Sequence, residues 1–574
     1  MCWPVWSPAT VVQTRPCLRI NQLGYLPQGP KRCTVVCSST APVSFAVRDA
    51  TGATVFSGRS LPWPVRPEPT SGLVVHVLDF TELTDEGLGL LVESDGHRSH
   101  RFDISTDLYR PLRSDALRFF RLMRSGTDVS EQTVPGYGRP AGHVGKAPNR
   151  GDTAVPAWSG PDASRLYPGW HDAGRYDVSG GWYDAGDYGK YVPSGAIAVW
   201  QLLGTLPLLA GHPMSAFAAA LVGECRWQLD WLLRMQVSSG ALAGLVFHRV
   251  HGTAWPPVPI WPHLDPTERV LHRPSTSATL HLAAVAAHAA RLLGDRDPAY
   301  ARTLLRAART AYEAARRHPD LLPPDDHARF GGGPYPDDDV TDDFYWAATE
   351  LWLATGEGGY RDDLEHSPEH TRDCFDLAGF DYDRVTAPAR IDLALAGLEG
   401  DDHRRTVDGV RAAADCLLDV QSAQPWGQPY APREGWDWGS NGRLLNNLVV
   451  VAVAELLTGD DRYRGGVLGG MDYLLGRNAL GQSYVTGYGT DDSRHQRTRQ
   501  FGHDLDPSMP PPPPGALAGG ANSRPHPDFP YDERLRGLPA QCCYLDEPTS
   551  EVTNDVCSRW NAPLVWIAAY LSRT

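Results

Sequence analysis

Two carboxylates, Asp184 and Asp187, stand three positions apart in a run of glycine and aromatic residues, Gly-Gly-Trp-Tyr-Asp-Ala-Gly-Asp-Tyr-Gly-Lys, at 180–190. Gly180, Gly181 and Gly186 let the backbone come close to a ligand. Trp182, Tyr183 and Tyr188 offer flat apolar faces suited to the C–H side of a sugar ring. The carboxylates can hold or deprotonate a water molecule. Read alone, the run is equally an Asx-turn capping a helix that starts near Val192, so the rest of the chain has to decide between chemistry and capping.

At 574 residues the chain is longer than one core usually supports, and two domains are expected. Its 42% hydrophobic and 21% charged residues are ordinary for a soluble globular protein, and no apolar run reads as long enough to cross a bilayer. A formal charge of −15, with both signs mixed along the sequence, argues against a nucleic-acid surface and for a neutral or small-molecule partner. The opening Met-Cys-Trp-Pro-Val-Trp-Ser-Pro lacks the basic and apolar segments of a secretory signal, which makes a cytoplasmic location the default expectation. The ten cysteines show no zinc-site spacing and read as buried thiols, although Cys33 with Cys37, or Cys542 with Cys543, could pair in an oxidising compartment.

From about Cys17 to Ser105, short β-rich runs alternate with turn signals. Strands are expected at Arg32 to Val36, Val43 to Arg48, Gly72 to Asp79, Gly89 to Glu93 and His100 to Ile104, forming a small antiparallel sandwich. Beyond about Tyr109 the pattern is helical. Helices are expected at Val192 to Ala210, Ser215 to Met235, Ser277 to Leu293, Tyr300 to Arg317, Asp343 to Thr355, Thr406 to Gln421, Gly442 to Thr458, Tyr463 to Leu475 and Ala562 to Leu571. The one ending at Thr458 is apolar almost all round and should be buried on every side, whereas Tyr300 to Arg317 carries one apolar stripe and should face solvent. Alternation of the two kinds predicts concentric rings of helices, an α/α toroid. The long connections hold most of the Trp, Tyr, His, Gly and Pro, which is where function is expected.

At this level of detail the chain resembles glycoside hydrolase family 9, the inverting endoglucanases and related exo-acting β-glycosidases. The run at 180–191 is similar to the family's nucleophilic-water motif. Further blocks follow in the family's order: Pro-Ser-Thr-Ser-Ala-Thr-Leu at 274–280, Asp-Asp-Phe-Tyr-Trp-Ala-Ala-Thr-Glu-Leu at 342–351, Trp-Gly-Ser-Asn at 438–441, Tyr-Leu-Leu-Gly-Arg-Asn at 473–478 and Trp-Asn-Ala-Pro-Leu-Val-Trp at 560–566. Ile-Asn-Gln-Leu-Gly-Tyr-Leu-Pro at 20–27 resembles the immunoglobulin-like domain that precedes the catalytic domain in one branch. The resemblance implies a mainly α protein: an immunoglobulin-like β-sandwich over 17–107, then an (α/α)6 barrel over 108–574 with a carbohydrate cleft across the inner-ring loops.

Inverting hydrolysis needs one carboxylate to deprotonate water and one carboxylic acid to protonate the leaving oxygen, roughly 6.5–9.5 Å apart. The resemblance makes Asp187 the base and Asp184 its partner in holding the water. The family's Asn-Glu pair falls on Asn554-Asp555, so the acid becomes Asp555, one methylene shorter. Glu551, one helical turn earlier, could replace it as acid, raise its pKa by like charge, or merely face solvent. Where relatives carry Pro-His-His-Arg, this chain has His495, Gln496, Arg497, Thr498 and Arg499. Arg499 matches the retained arginine, His495 is the nearest histidine, and Arg494, Arg497 and Arg499 together could favour an anionic substrate. Further candidates for lining the cleft are His248, His251, Trp255, Trp426, Tyr430, Trp436 and Trp438. The expected substrate is a β-linked glucan, an oligosaccharide or a glycosylated small molecule, with neither nucleic acid nor membrane as partner. The alternative is a family relative with altered catalysis, a carbohydrate-binding pseudoenzyme or an enzyme recruited to another acid/base reaction. No cofactor or catalytic metal is expected, while the resemblance admits a structural calcium whose ligands the sequence does not identify.

Overall fold

The computed structural model describes residues 16–573 except 62–66, 210, 212–214 and 327–328. The opening octapeptide with Cys2, and Ala210 at the end of one expected helix, lie outside the described residues.

Nine short strands make the N-terminal sandwich: β1 (Leu18–Arg19), β2 (Gly24–Tyr25), β3 (Arg32–Val36), β4 (Ser44–Arg48), β5 (Thr54–Arg59), β6 (Val75–Asp79), β7 (Gly87–Ser94), β8 (His97–Arg98) and β9 (Phe102–Ile104). One sheet runs β1-β3-β6 and is antiparallel; the other runs β2-β9-β7-β4-β5, with β8 paired to β7 and only β2–β9 parallel. Leu18, Val35, Phe45, Val47, Leu78, Val92 and Phe102 fill the space between them. Strand β4 alternates inward and outward positions, whereas β3 and β6 carry consecutive buried residues.

Fourteen α-helices occur among the described residues: α1 (Tyr109–Leu122), α2 (Pro161–Leu166), α3 (Val192–Leu203), α4 (Ala216–Arg234), α5 (Thr276–Leu293), α6 (Pro298–Arg317), α7 (Thr341–Thr355), α8 (Gly358–His366), α9 (Thr386–Leu395), α10 (Asp401–Ser422), α11 (Ser440–Thr458), α12 (Asp461–Leu474), α13 (Glu551–Asn554) and α14 (Ser558–Leu571). Helices α3, α5, α7, α9, α11 and α14 pack in that order and close into a ring, and α1, α4, α6, α8, α10 and α12 each back onto one of them. This is the (α/α)6 barrel. Composition dictates the layers. Every residue of α3 is buried, and α11 is buried from Ser440 to Ala454 except Arg443, whereas α6 buries Tyr300, Leu304, Ala308, Ala311, Tyr312 and Ala315 on one stripe and turns its arginines outward. The segment Val192–Leu209 is apolar enough by composition to match a membrane span, but 83% of it is buried within the barrel.

The inner ring is fastened by charge as well as by packing. His288 and Arg291 of α5 lie 3.3 and 3.0 Å from Glu350 of α7, and His288 also lies 3.0 Å from Asp392 of α9, which accepts from the Trp200 indole of α3 at 2.7 Å. The two carboxylates push His288 up to about 9 despite its burial, so it is a cation at neutral pH. His288, Glu350 and Asp392 thus form one buried ion-pair cluster with the Arg291 guanidinium.

The sandwich docks on the barrel through buried polar contacts. Asn21 donates to Asp472 at 2.9 Å, Thr34 donates to the Pro425 carbonyl at 2.7 Å, and the Trp426 indole donates to Glu68 at 3.2 Å. The nine described cysteines form no disulfide, so neither Cys33 with Cys37 nor Cys542 with Cys543 is bridged.

Candidate active site

The connections that enter the N-termini of the inner helices meet at one end of the ring. Those preceding α3, α5, α7, α11 and α14 line a cleft of about 290 Å³. Asp187 lines it together with Asp555 and Glu551, which lie far from it in sequence.

Backbone pairing brings the three catalytic segments together. Ala185 bridges to Cys557 and Arg497 to Asp555. The Arg499 amide donates to the Gly186 carbonyl at 3.0 Å, and the Arg497 amide donates to that of Asn554 at 2.9 Å. Gly186 is the pivot of this arrangement. A Cβ there would sit 2.4 Å from the Arg497 carbonyl oxygen and 2.7 Å from Oδ1 of Asp555, so no other residue fits without displacing the Asp555 carboxyl or the Arg497 backbone.

Asp187 and Asp555 sit in unlike surroundings. Oδ2 of Asp187 accepts from the Gly189 amide at 2.8 Å and the Tyr191 hydroxyl at 3.0 Å. Its Oδ1 has no protein partner among the described residues and is left for water. Oδ1 of Asp555 accepts from the Gly186 amide at 3.1 Å and the Val556 amide at 2.9 Å, leaving Oδ2 to carry a proton. Burial first, then the charges of Glu551 and Asp187, hold the Asp555 carboxyl well above the usual range. Glu551, at the start of α13, is paired with Arg497 at 3.2 Å. Of the three readings open for Glu551, the solvent-facing one is removed by this pairing.

Several expected ligands of water or sugar lie elsewhere. Asp184 is 3% exposed and sits beneath the cleft rather than in its wall. Ser194 and Ser558 donate to its Oδ1 at 2.5 and 2.9 Å, and the Tyr335 hydroxyl and Cys557 thiol approach Oδ2. These contacts fix the turn that presents Asp187. Burial raises the pKa of Asp184. Trp182 and Tyr183 are core residues, not sugar platforms: Trp182 packs on Phe120 with centroids 4.7 Å apart, and the Tyr183 hydroxyl bonds His143 Nδ1 at 2.7 Å. His248 is buried behind the wall, its ring against Ser275 and the Pro334 and Tyr335 carbonyls. His251 pairs with His272 at 2.8 Å inside the core. Trp426 belongs to the domain contact, and Tyr430 and Trp436 are buried against each other.

The arginine-rich segment is divided: Arg497 and Arg499 line the cleft as expected, while Arg494 and His495 do not. His495 points outward and pairs with Asp504 at 2.6 Å, and Arg494 pairs with Asp492 at 2.6 Å. Arg497 holds Glu551 and the Pro548 carbonyl, and Arg499 donates to the carbonyls of Gly186 and Pro256, each at 3.0 Å. Of the expected aromatic platforms, Trp255 and Trp438 do line the cleft.

Tyr335 was not singled out by sequence reasoning. Its hydroxyl donates to Asp184 and its ring lies 4.5 Å from that of Tyr191, so one side chain touches the support of both aspartates. Its φ of +49° is strained for a non-glycine residue. The Gly-Gly-Gly-Pro-Tyr-Pro run at 331–336 was the available signal.

Comparison with known proteins agrees with this geometry. Residues 109–568 match the model of glycosyl hydrolase family 9, and residues 13–99 match the cellulase N-terminal ig-like domain. The chain is 46% identical to endoglucanase C of Cellulomonas fimi over 98% of its own length and 52% of that enzyme's, so it spans about half of that relative. It is 36% identical to a cellulose 1,4-beta-cellobiosidase of Acetivibrio thermocellus, covering 98% of this chain and 68% of that one. Among solved structures, a metagenome-derived family 9 endoglucanase superposes with TM-score 0.84 at 28% identity, over 97% of this chain and 99% of that one. AaCel9A in complex with cellobiose-like isofagomine superposes with TM-score 0.82 at 27% identity, over 97% and 100%. With matching sequence blocks, barrel, N-terminal sandwich and cleft, the chain belongs to glycosyl hydrolase family 9.

Proposed function

We propose that this chain is an inverting β-glycoside hydrolase acting on a β-linked glucan, with Asp187 as base and Asp555 as acid. The observation that supports it best is the contrast between these two groups in one cleft. Asp187 has one oxygen anchored and one left for water, while Asp555 is kept protonated by burial and by neighbouring negative charge. A water losing its proton to Asp187 attacks the anomeric carbon as Asp555 protonates the leaving oxygen, so the anomeric configuration inverts. Glu551 raises the pKa of Asp555, and Asp184, held by Ser194, Ser558 and Tyr335, keeps the turn that presents Asp187. The names of the relatives, an endoglucanase and a cellobiosidase, support a cellulose-type chain as substrate. A catalytically silent relative finds no support in either the site or the comparisons.

Proton NMR of the first product released from a cello-oligosaccharide tests the reading. The α-anomer is expected first, and Asp187→Asn is expected to abolish release while the circular dichroism spectrum is unchanged. Initial formation of the β-anomer, or an active Asp187→Asn variant, would refute it.

A further inference from the structure

The segment Arg-Pro-His-Pro-Asp-Phe-Pro-Tyr at 524–531 has no part in the chemistry above, yet His526, Pro527, Asp528 and Phe529 line the same cleft as the carboxylates. The Phe529 ring lies 5.0 Å from Trp438 and 5.9 Å from Trp255, at 79° and 67°, so it makes edge-to-face contact with both. Trp255 lies on the connection leading into α5, and Trp438 stands two residues before α11. In the ring order α3-α5-α7-α9-α11-α14, α5 and α11 are three places apart, on opposite sides of the barrel. The segment therefore spans the mouth of the cleft from wall to wall.

It is built to stay there. Pro525, Pro527 and Pro530 restrict its backbone. Arg524 anchors one end to Asp437 at 3.2 Å and Glu434 at 3.4 Å, and the Tyr531 hydroxyl ties the other to the Asn522 carbonyl at 2.9 Å. His526 adds a third ring, 5.1 Å from Phe529 and 5.5 Å from Trp438. The cleft that these residues line together with the carboxylates is about 290 Å³, near the lower end of the roughly 300–1,000 Å³ of small-molecule sites.

We infer that the strap at 524–531 makes this an end-acting enzyme: a glucan enters by a chain terminus, and internal bonds of a long chain cannot lie across the strapped cleft. The inference rests on the hydrolysis proposed above and determines which substrates of that class are cut. The measurement is viscosity loss of a soluble β-glucan plotted against reducing ends formed. The wild type is expected to form reducing ends with little loss of viscosity. Phe529→Ala removes both edge-to-face contacts and is expected to raise viscosity loss per bond cleaved about tenfold. The double variant P525G/P527G keeps the aromatic ring but loosens the strap, and is expected to shift in the same direction. Rapid viscosity loss by the wild type, or unchanged ratios in both variants with folding verified, would overturn the strap's role. Absence of any sugar release by the wild type from glucans and cello-oligosaccharides would instead overturn the proposed hydrolysis, and this inference with it.

Discussion

Asp555→Asn separates the two carboxyls that could serve as the acid. The asparagine carbonyl keeps both acceptor bonds now made by Oδ1, from the Gly186 amide at 3.1 Å and the Val556 amide at 2.9 Å, so the segment pairing of the site should survive. What is lost is the proton on the other oxygen. General acid catalysis contributes about 10²–10⁴ in rate, so kcat on cellotetraose should fall roughly a thousandfold, or about 4 kcal/mol at 1.36 kcal/mol per decade. A dinitrophenyl β-cellobioside needs no protonation on departure, and its kcat should fall by no more than about tenfold. Glu551→Gln should show no such dependence on the leaving group. It removes a charge that raises the Asp555 pKa, so Asp555 loses its proton at lower pH and the alkaline limb of kcat/KM should move toward acid. The assay is steady-state kinetics of the three proteins on both substrates across pH. Equal losses on both substrates for Asp555→Asn would refute its role as acid, and leaving-group dependence in Glu551→Gln would transfer that role to Glu551.

Two further outcomes follow from the packing. Gly186→Ala places a methyl group 2.4 Å from the Arg497 carbonyl and 2.7 Å from the Asp555 carboxylate, and a displacement near 1 Å should lower kcat roughly a hundredfold, with stability lowered by about 1–3 kcal/mol by the backbone clash; near-wild-type turnover would refute the pivot. His288, raised to about 9 in the fold against about 6.5 when unfolded, adds stability that is complete below pH 6.5 and lost as pH rises through 9. The wild-type Tm should therefore decline over that window, whereas His288→Gln should start about 3–5 kcal/mol less stable and show a smaller decline; parallel pH profiles by differential scanning fluorimetry would refute the ion-pair assignment.

The elements legible in the sequence were those with a strong apolar pattern. The buried helix ending at Thr458 and the striped helix Pro298–Arg317 both occur as layers of the barrel. Three ring members went unread: Tyr109–Leu122, whose apolar stripe of Leu112, Ala116, Phe119 and Phe120 was present in the sequence, and two others for opposite reasons. Gly358–His366 buries only Leu364 and has no stripe, and Thr386–Leu395 carries Pro388 in its first turn and is buried nearly all round, so no period shows. Strand Thr54–Arg59 is the edge of its sheet with no fully buried residue, which leaves its side chains without the alternation that marks a half-buried strand.

The chain itself determined which chemical groups were available and in what local order: two aspartates in a glycine-aromatic turn, an Asn-Asp pair before the last helix, and helices of two apolar patterns that could only bury themselves in rings. Tertiary structure decided which of those groups meet the substrate space. It turned Asp184 into a buried brace, sent Trp182 and Tyr183 into the core, paired Arg494 with Asp492 away from the cleft while keeping Arg497 and Arg499 in its wall, and brought Arg497 to Glu551. The reason is that burial, like-charge proximity and occupancy of hydrogen-bond acceptors are properties of neighbours in space. Residues 187, 499 and 555 become neighbours only when the inner helices close their ring and bring the connecting segments to one end.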